Sequence, residues 1–225
     1  MTISNDSRAR VKKAFEPIAL GMGRLGLTPD ALTLIGFAIT VVGAVLVAQQ
    51  QWLAGGLVIF LGGVFDMFDG TLARATGRAS KLGAFMDSVF DRAGEVIVYV
   101  GLVAGLGGLG IVNGTVLAAS AMGSAVLVSY TRSKSEGLGF TAGSGMAAIG
   151  IMTREIRLVV LSVGLILAGA LGTNTNASTN VTNVLFLALG IITVGSILTV
   201  IQRILHVRAQ ARRQSTQPQG AGEQP

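Results

Sequence analysis

Between Phe65 and Arg92 the chain reads FDMFDGTLARATGRASKLGAFMDSVFDR, with aspartates at 66, 69, 87 and 91. Asp66 and Asp69 are three residues apart and share one helix face. Asp87 and Asp91 are four apart and share another. The connection between the pairs is short and carries Arg74, Arg78 and Lys81. The sequence therefore predicts two antiparallel neighbouring helices with facing carboxylates. Four ionised carboxylates converging in a low-dielectric setting need a compensating charge. A divalent cation supplies it. The donors are all oxygen, with no cysteine in the chain and its single histidine, His206, remote in sequence. That set suits Mg²⁺ or Mn²⁺ rather than zinc or copper. The competing reading is four solvated acids, or ion pairs to Arg74 and Arg92. Two helical spacings around one tight turn favour the metal, because polar clusters in membrane helices are generally functional. Gly70 and Ala73 leave a narrow-walled groove beside the acids, and Arg74 offers a planar fork suited to phosphate.

The acids must be positioned by membrane helices. Hydrophobic residues make up 51% of the 225 and charged residues only 12%, against about 25% charged in a soluble domain. Residues 31–65, 96–131 and 158–202 contain no Asp, Glu, Lys or Arg. Each is too long for one span and is interrupted by a polar or glycine-rich break: QQQW, GLGGLG and GTNTNASTNVTN. Six spans follow, near 31–48, 53–73, 82–105, 112–132, 156–171 and 183–204. The 32 glycines suit close helix packing in lipid. All 17 Lys and Arg then gather on one side. The positive-inside rule makes that side cytoplasmic, with both termini there. The expected fold is an all-α integral membrane protein of the cytoplasmic membrane, with six transmembrane helices plus an N-terminal amphipathic surface helix.

Residues 1–28 form that amphipathic segment. Val11, Phe15, Ile18, Met22 and Leu25 recur at helical spacing beside Arg8, Arg10, Lys12 and Lys13, which suits an anionic lipid surface. Thr28 caps the first long helix and Pro29 opens it. Residues 29–205 form the six-helix domain, and 206–225 read as a disordered basic cytoplasmic tail. The tail's basic residues point to membrane lipid, not nucleic acid. Gly105-x-Gly107-x-x-Gly110 lacks the preceding strand of a dinucleotide site and reads as a turn.

Asp66-x-x-Asp69-Gly70-x-x-Ala73-Arg74, followed by Gly83, Asp87 and Asp91, resembles the full signature of the CDP-alcohol phosphotransferase family, with every spacing intact. The resemblance implies six membrane helices, a cytoplasm-facing site and a homodimer. It also implies the reaction: an alcohol attacks the phosphate of a CDP-linked lipid such as CDP-diacylglycerol, and CMP leaves. Two ions, Mg²⁺ or Mn²⁺, would be held by Asp66, Asp69 and Asp87, with Asp91 near the second. Asp91 would also take the proton of the attacking hydroxyl. Gly70, Arg74 and Ser80, with Ala73 in the groove wall, would contact the CDP part. Pro29, Asp30, Ala31 and Leu32 match the family's other donor-binding segment.

The acceptor is read elsewhere. SYTRSKSEG ends the fourth span and TREIR opens the fifth, both on the basic side. Arg132, Ser133, Lys134, Arg154 and Arg203 are the candidate acceptor residues, with Lys134, Arg154 and Arg203 expected to ring the mouth of the site. A basic ring beside a metal-bound diphosphate suggests an acceptor that is itself a phosphate ester, and the competing reading is plain positive-inside decoration. Within the family the pattern looks most like the actinobacterial phosphatidylinositol phosphate synthases, which implies inositol 1-phosphate. Departures at Ser133, Ser135 and Thr153 keep the glycerol 3-phosphate enzymes as the alternative. A cation transporter is the non-enzyme alternative, and it predicts charges near mid-membrane rather than at one boundary.

Overall fold

A computed structural model describes residues 16–140, 149–172 and 177–216, and all regular structure among them is helical. A short helix, α1, covers residues 16–24. Six long helices follow: α2 (Pro29–Ala48), α3 (Trp52–Ala75), α4 (Lys81–Gly108), α5 (Val112–Gly137), α6 (Arg154–Leu171) and α7 (Ala177–Thr216). Each begins or ends within a few residues of a charge-free boundary or polar break in the sequence. Four stretches are long and apolar enough to cross a membrane: α2, α3, α5 and the Val181–Arg213 part of α7. The chain is a multi-pass membrane protein. The charges of α4 and α6 lie toward their N-terminal ends, at Lys81, Asp87, Asp91, Arg92 and Glu95 and at Arg154, Glu155 and Arg157, and the remainder of each helix is uncharged.

Local chemistry explains the element ends. The Thr28 hydroxyl accepts the Ala31 N–H at 3.2 Å, with Pro29 in the first turn of α2. The Ser80 hydroxyl accepts the Gly83 N–H at 2.9 Å and starts α4. Between α3 and α4 the chain turns at Gly77, whose φ of +66° is readily reached only without a Cβ.

The long helices form a closed ring in the order α2, α3, α6, α7, α5, α4 and back to α2. This corrects one expectation. A short α3–α4 connection predicts side-by-side neighbours, but these two helices do not pack along their lengths; both pack on α2 instead. Glycine decides it. A Cβ on Gly101 of α4 would overlap the Ala44 carbonyl oxygen of α2. Such backbone approach is how apolar helices gain packing energy in lipid. The acidic ends of α3 and α4 are thereby held apart across a cleft.

The core runs through α2–α7, from Val47, Trp52 and Leu106 to Leu165 and Ile192. A second cluster joins α1 to the ring, with Ala19 buried against Leu32, Phe68 and Leu72. Ile18 and Leu25 are exposed. Val11 and Phe15 lie outside the described residues. The disordered tail expected from His206 is corrected as far as Thr216, because α7 continues to that residue. VRAQARRQ is rich in helix formers and free of Gly and Pro, so nothing stops the helix. At 40 residues α7 is about 60 Å long, roughly twice a bilayer's hydrocarbon thickness.

Candidate functional site: a carboxylate cluster bridged by arginine

The C-terminal half of α3 carries Asp66 and Asp69, and the N-terminal half of α4 carries Asp87 and Asp91. Asp66, Asp69 and Asp87 each offer a carboxylate oxygen, and these oxygens lie within 4.8 Å of one another. Three oxygen donors drawn together from two helices suit a hard divalent cation. Asp69 is 5% exposed and is the most buried of the acids. Its Oδ2 accepts the Thr33 hydroxyl of α2 at 2.5 Å, and its Oδ1 accepts the Gly70 N–H. The charge is thus oriented by fixed donors rather than solvated.

Asp91 stands apart from that group. Its Oδ1 is 2.7 Å from Nη2 of Arg154, and Nη1 of the same guanidinium is 3.0 Å from Oδ2 of Asp66. The Asp66 contact is an aligned hydrogen bond. The Asp91 contact is a close charge pair without that alignment. Arg92 sits 3.8 Å from the other Asp91 oxygen.

A second rung lies one helical turn deeper. Arg157 is 1% exposed. Its Nε donates to Oε1 of Glu95 at 2.6 Å, its Nη2 to Oε2 at 2.9 Å, and its Nη1 to the Met152 carbonyl at 2.9 Å. Asp91 and Glu95 on α4 therefore face Arg154 and Arg157 on α6 in two steps. The space between α2, α3, α4 and α6 forms a cavity that starts at Asp66, Asp91 and Arg154 and runs inward past Thr40 and Glu95 to Tyr99. Phe37 and Phe90 pack at its wall, with ring centroids 5.0 Å apart.

The start of α6 is pinned from α7. The Met152 N–H donates to the Thr199 hydroxyl at 3.0 Å. Arg203 is buried, and its Nε donates to the Ile149 carbonyl at 3.0 Å, while Nη1 donates to the Val128 carbonyl. The expected ring of Lys134, Arg154 and Arg203 around one mouth is therefore not what the helices build. Arg154 lies on the aspartates, whereas Arg203 is committed to backbone carbonyls one level behind α6. Arg132 is exposed and pairs with Glu136 at 3.0 Å; Ser133 and Lys134 are exposed on the same turn of α5. None of these four lines the cavity.

The expected donor residues fall in two local groups, one at the end of α3 and one where α2 and α4 begin. The Arg74 guanidinium lies over Gly70, where a Cβ would stand 3.2 Å from Nη1. Ala73 is on the adjoining turn, half-buried. Asp30 and Ser80 both flank Gly83, so the starts of α2 and α4 meet there. Pro29 and Ala31 lie in that first turn, and Leu32 is buried beneath it.

Sequence reasoning missed Thr33, Glu95 and Arg157. Glu95 carried a signal, since Asp87, Asp91 and Glu95 recur every four residues on one face of α4. Arg157 follows Arg154 by three. Thr33 offered no spacing that would identify its partner.

The CDP-alcohol phosphatidyltransferase family model matches residues 26–211. The chain is similar to the archaetidylinositol phosphate synthase of Pyrococcus horikoshii, 37% identical over 156 residues that make up 69% of this chain and 78% of that one. It is 34% identical to the phosphatidylinositol phosphate synthase of Streptomyces avermitilis over 91% of this chain and 82% of the relative. Its fold is similar to the crystal structure of Mycobacterium tuberculosis phosphatidylinositol phosphate synthase with CDP-DAG bound, with a TM-score of 0.74 and 27% identity over 87% of this chain and 94% of the other. The same enzyme in complex with manganese and citrate gives a TM-score of 0.71 at 26% identity, over 94% and 93%. With the signature residues folded into one cleft and the family model spanning six helices, the chain belongs to the CDP-alcohol phosphatidyltransferase family.

Proposed function

We propose that the chain transfers the phosphatidyl group of CDP-diacylglycerol to inositol 1-phosphate and releases CMP. The observation that carries the reaction class is the group of three carboxylate oxygens within 4.8 Å on α3 and α4, with Asp91 one turn away. The acceptor rests on the relatives, whose names share an inositol phosphate headgroup on two kinds of lipid.

Asp66, Asp69 and Asp87 would hold two ions, Mg²⁺ or Mn²⁺, with Asp91 completing the second position. Ions held there would supply the charge neutralisation that a diphosphate and a departing CMP need. Thr33 and the Gly70 N–H keep the Asp69 carboxylate in one orientation. Arg74, lying over Gly70, is suited to the donor phosphate, with Ser80, Ala73 and the Pro29–Leu32 turn around the nucleotide. Asp91 takes the proton as the acceptor hydroxyl oxygen bonds to the phosphatidyl phosphorus. The bond from that phosphorus to the bridging oxygen breaks, and its electron pair leaves with CMP. Arg154, which borders the cavity beside Asp66 and Asp91, supplies positive charge for the acceptor's own phosphate.

The protein would work as a homodimer in the cytoplasmic membrane, with six spans and both termini cytoplasmic. The segregation of all 17 basic residues outside the charge-free stretches supports that topology. Rates of CMP release with inositol 1-phosphate, glycerol 3-phosphate and free inositol test the acceptor. A preference for glycerol 3-phosphate would move the chain to the glycerophosphate branch.

A further inference from the structure

Arg154 spans Asp66 and Asp91 from a third helix, and Asp66 is also one of the three clustered acids. The guanidinium thus carries its positive charge where a cation shared between α3 and α4 would need those oxygens. Two features show that it is held there rather than drifting. The Arg157–Glu95 rung fixes the register of α6 against α4 one turn deeper. Thr199 and Arg203 of α7 fix the segment that leads into Arg154. A divalent ion coordinated by Asp66 and Asp91 would stand within a few ångströms of the guanidinium. Like charges that close repel strongly wherever water does not screen them.

We infer that Arg154 is the built-in counter-charge of the Asp66–Asp91 half of the site, and that it exchanges with the second divalent ion. An ion in the Asp66–Asp69–Asp87 group shares only Asp66 with the guanidinium and leaves its Asp91 contact in place. The second ion binds only as Arg154 leaves the carboxylates, so its affinity is lowered by the cost of displacing the arginine. The freed guanidinium then faces the cleft and becomes available to an anionic acceptor. This last step rests on the acceptor reading above. Coupling of this kind is reciprocal: an acceptor phosphate that holds Arg154 away from Asp91 tightens the second ion by the same factor.

The test is Mn²⁺ binding to the purified full-length chain in detergent micelles, without CDP-lipid, followed by the electron paramagnetic resonance signal of free Mn²⁺. The wild type should show one tighter and one weaker site. Arg154→Gln should tighten the weaker site about ten-fold or more, equivalent to removing about 1.4 kcal/mol of competition. An isotherm for Arg154→Gln that superimposes on wild type, or is weaker, overturns the inference. If the glutamine variant is aggregated by size exclusion, Arg154→Lys is measured instead. An ammonium is a point charge that cannot fork two carboxylates, so the shift should have the same sign and be smaller; an unchanged isotherm again overturns the inference. Inositol 1-phosphate added to the wild type should tighten the weaker site. A shift in Arg154→Gln without a wild-type response to inositol 1-phosphate upholds the exchange and counts against the acceptor reading alone.

Discussion

The Thr33 hydroxyl stands 2.5 Å from Oδ2 of Asp69, joining the first turns of α2 to the acidic face of α3. Because α3 and α4 both lean on α2 rather than on each other, this bond sets where the most buried acid points. Thr33→Val keeps the shape and removes the donor. It should weaken activating metal about 10-fold or more, the usual effect of losing an orienting partner. The Mn²⁺ concentration giving half-maximal CMP release measures it. Thr33→Ser should restore the wild-type value, and an unshifted value for Thr33→Val would show that the bond does not orient a ligand.

Asp91→Asn should lower turnover about 10²–10⁴-fold, the range for losing a general base, while CDP-diacylglycerol still binds. Binding is read by retention of labelled CDP-lipid on the immobilised protein in Mg²⁺. If donor binding is lost in step with turnover, Asp91 acts mainly in holding metal.

The Glu95–Arg157 pair should be worth more broken than replaced. Glu95→Ala leaves a buried guanidinium without its carboxylate, a loss of about 3–5 kcal/mol. The double variant Glu95→Leu, Arg157→Met should lose much less. Thermal unfolding in detergent compares them. A double variant as unstable as the single one would mean that the rung does more than balance its own charges.

Much of this architecture was legible in the sequence. The charge-free stretches and their polar breaks locate α2–α7, and Thr28-Pro29 marks the start of α2 where the hydroxyl cap is found. The i,i+3 and i,i+4 spacings put the acids on the right faces. What spacing does not encode is which helix a face meets. The five residues between α3 and α4 suggest neighbours, yet close glycine contacts on α2 decide the packing. For the same reason Arg154 and Arg203, both on the basic side, read as one ring although they serve different levels. Thr33 is one threonine in an apolar helix until α3 is folded against it.

The absence of cysteine gives a clean background for topology. Gln49→Cys, in the turn between α2 and α3, should react with a membrane-impermeant maleimide only in right-side-out vesicles. Arg78→Cys, in the turn before α4, should react only in inside-out ones. The opposite pattern would invert the proposed orientation.

Treatment with EDTA should abolish CMP release, and added Mg²⁺ or Mn²⁺ should restore it. The size-exclusion profile should stay unchanged, because the ring of helices is held by packing along their lengths. Activity that survives exhaustive chelation would remove the metal from the account.

The most direct measurement uses inositol 1-phosphate labelled with ³²P, CDP-diacylglycerol, Mg²⁺ and the purified protein. Label should pass into the chloroform-extractable lipid in a one-to-one ratio with released CMP, because the acceptor keeps its own phosphate. CMP release without label in the lipid, or no release with this acceptor, would contradict the proposed reaction.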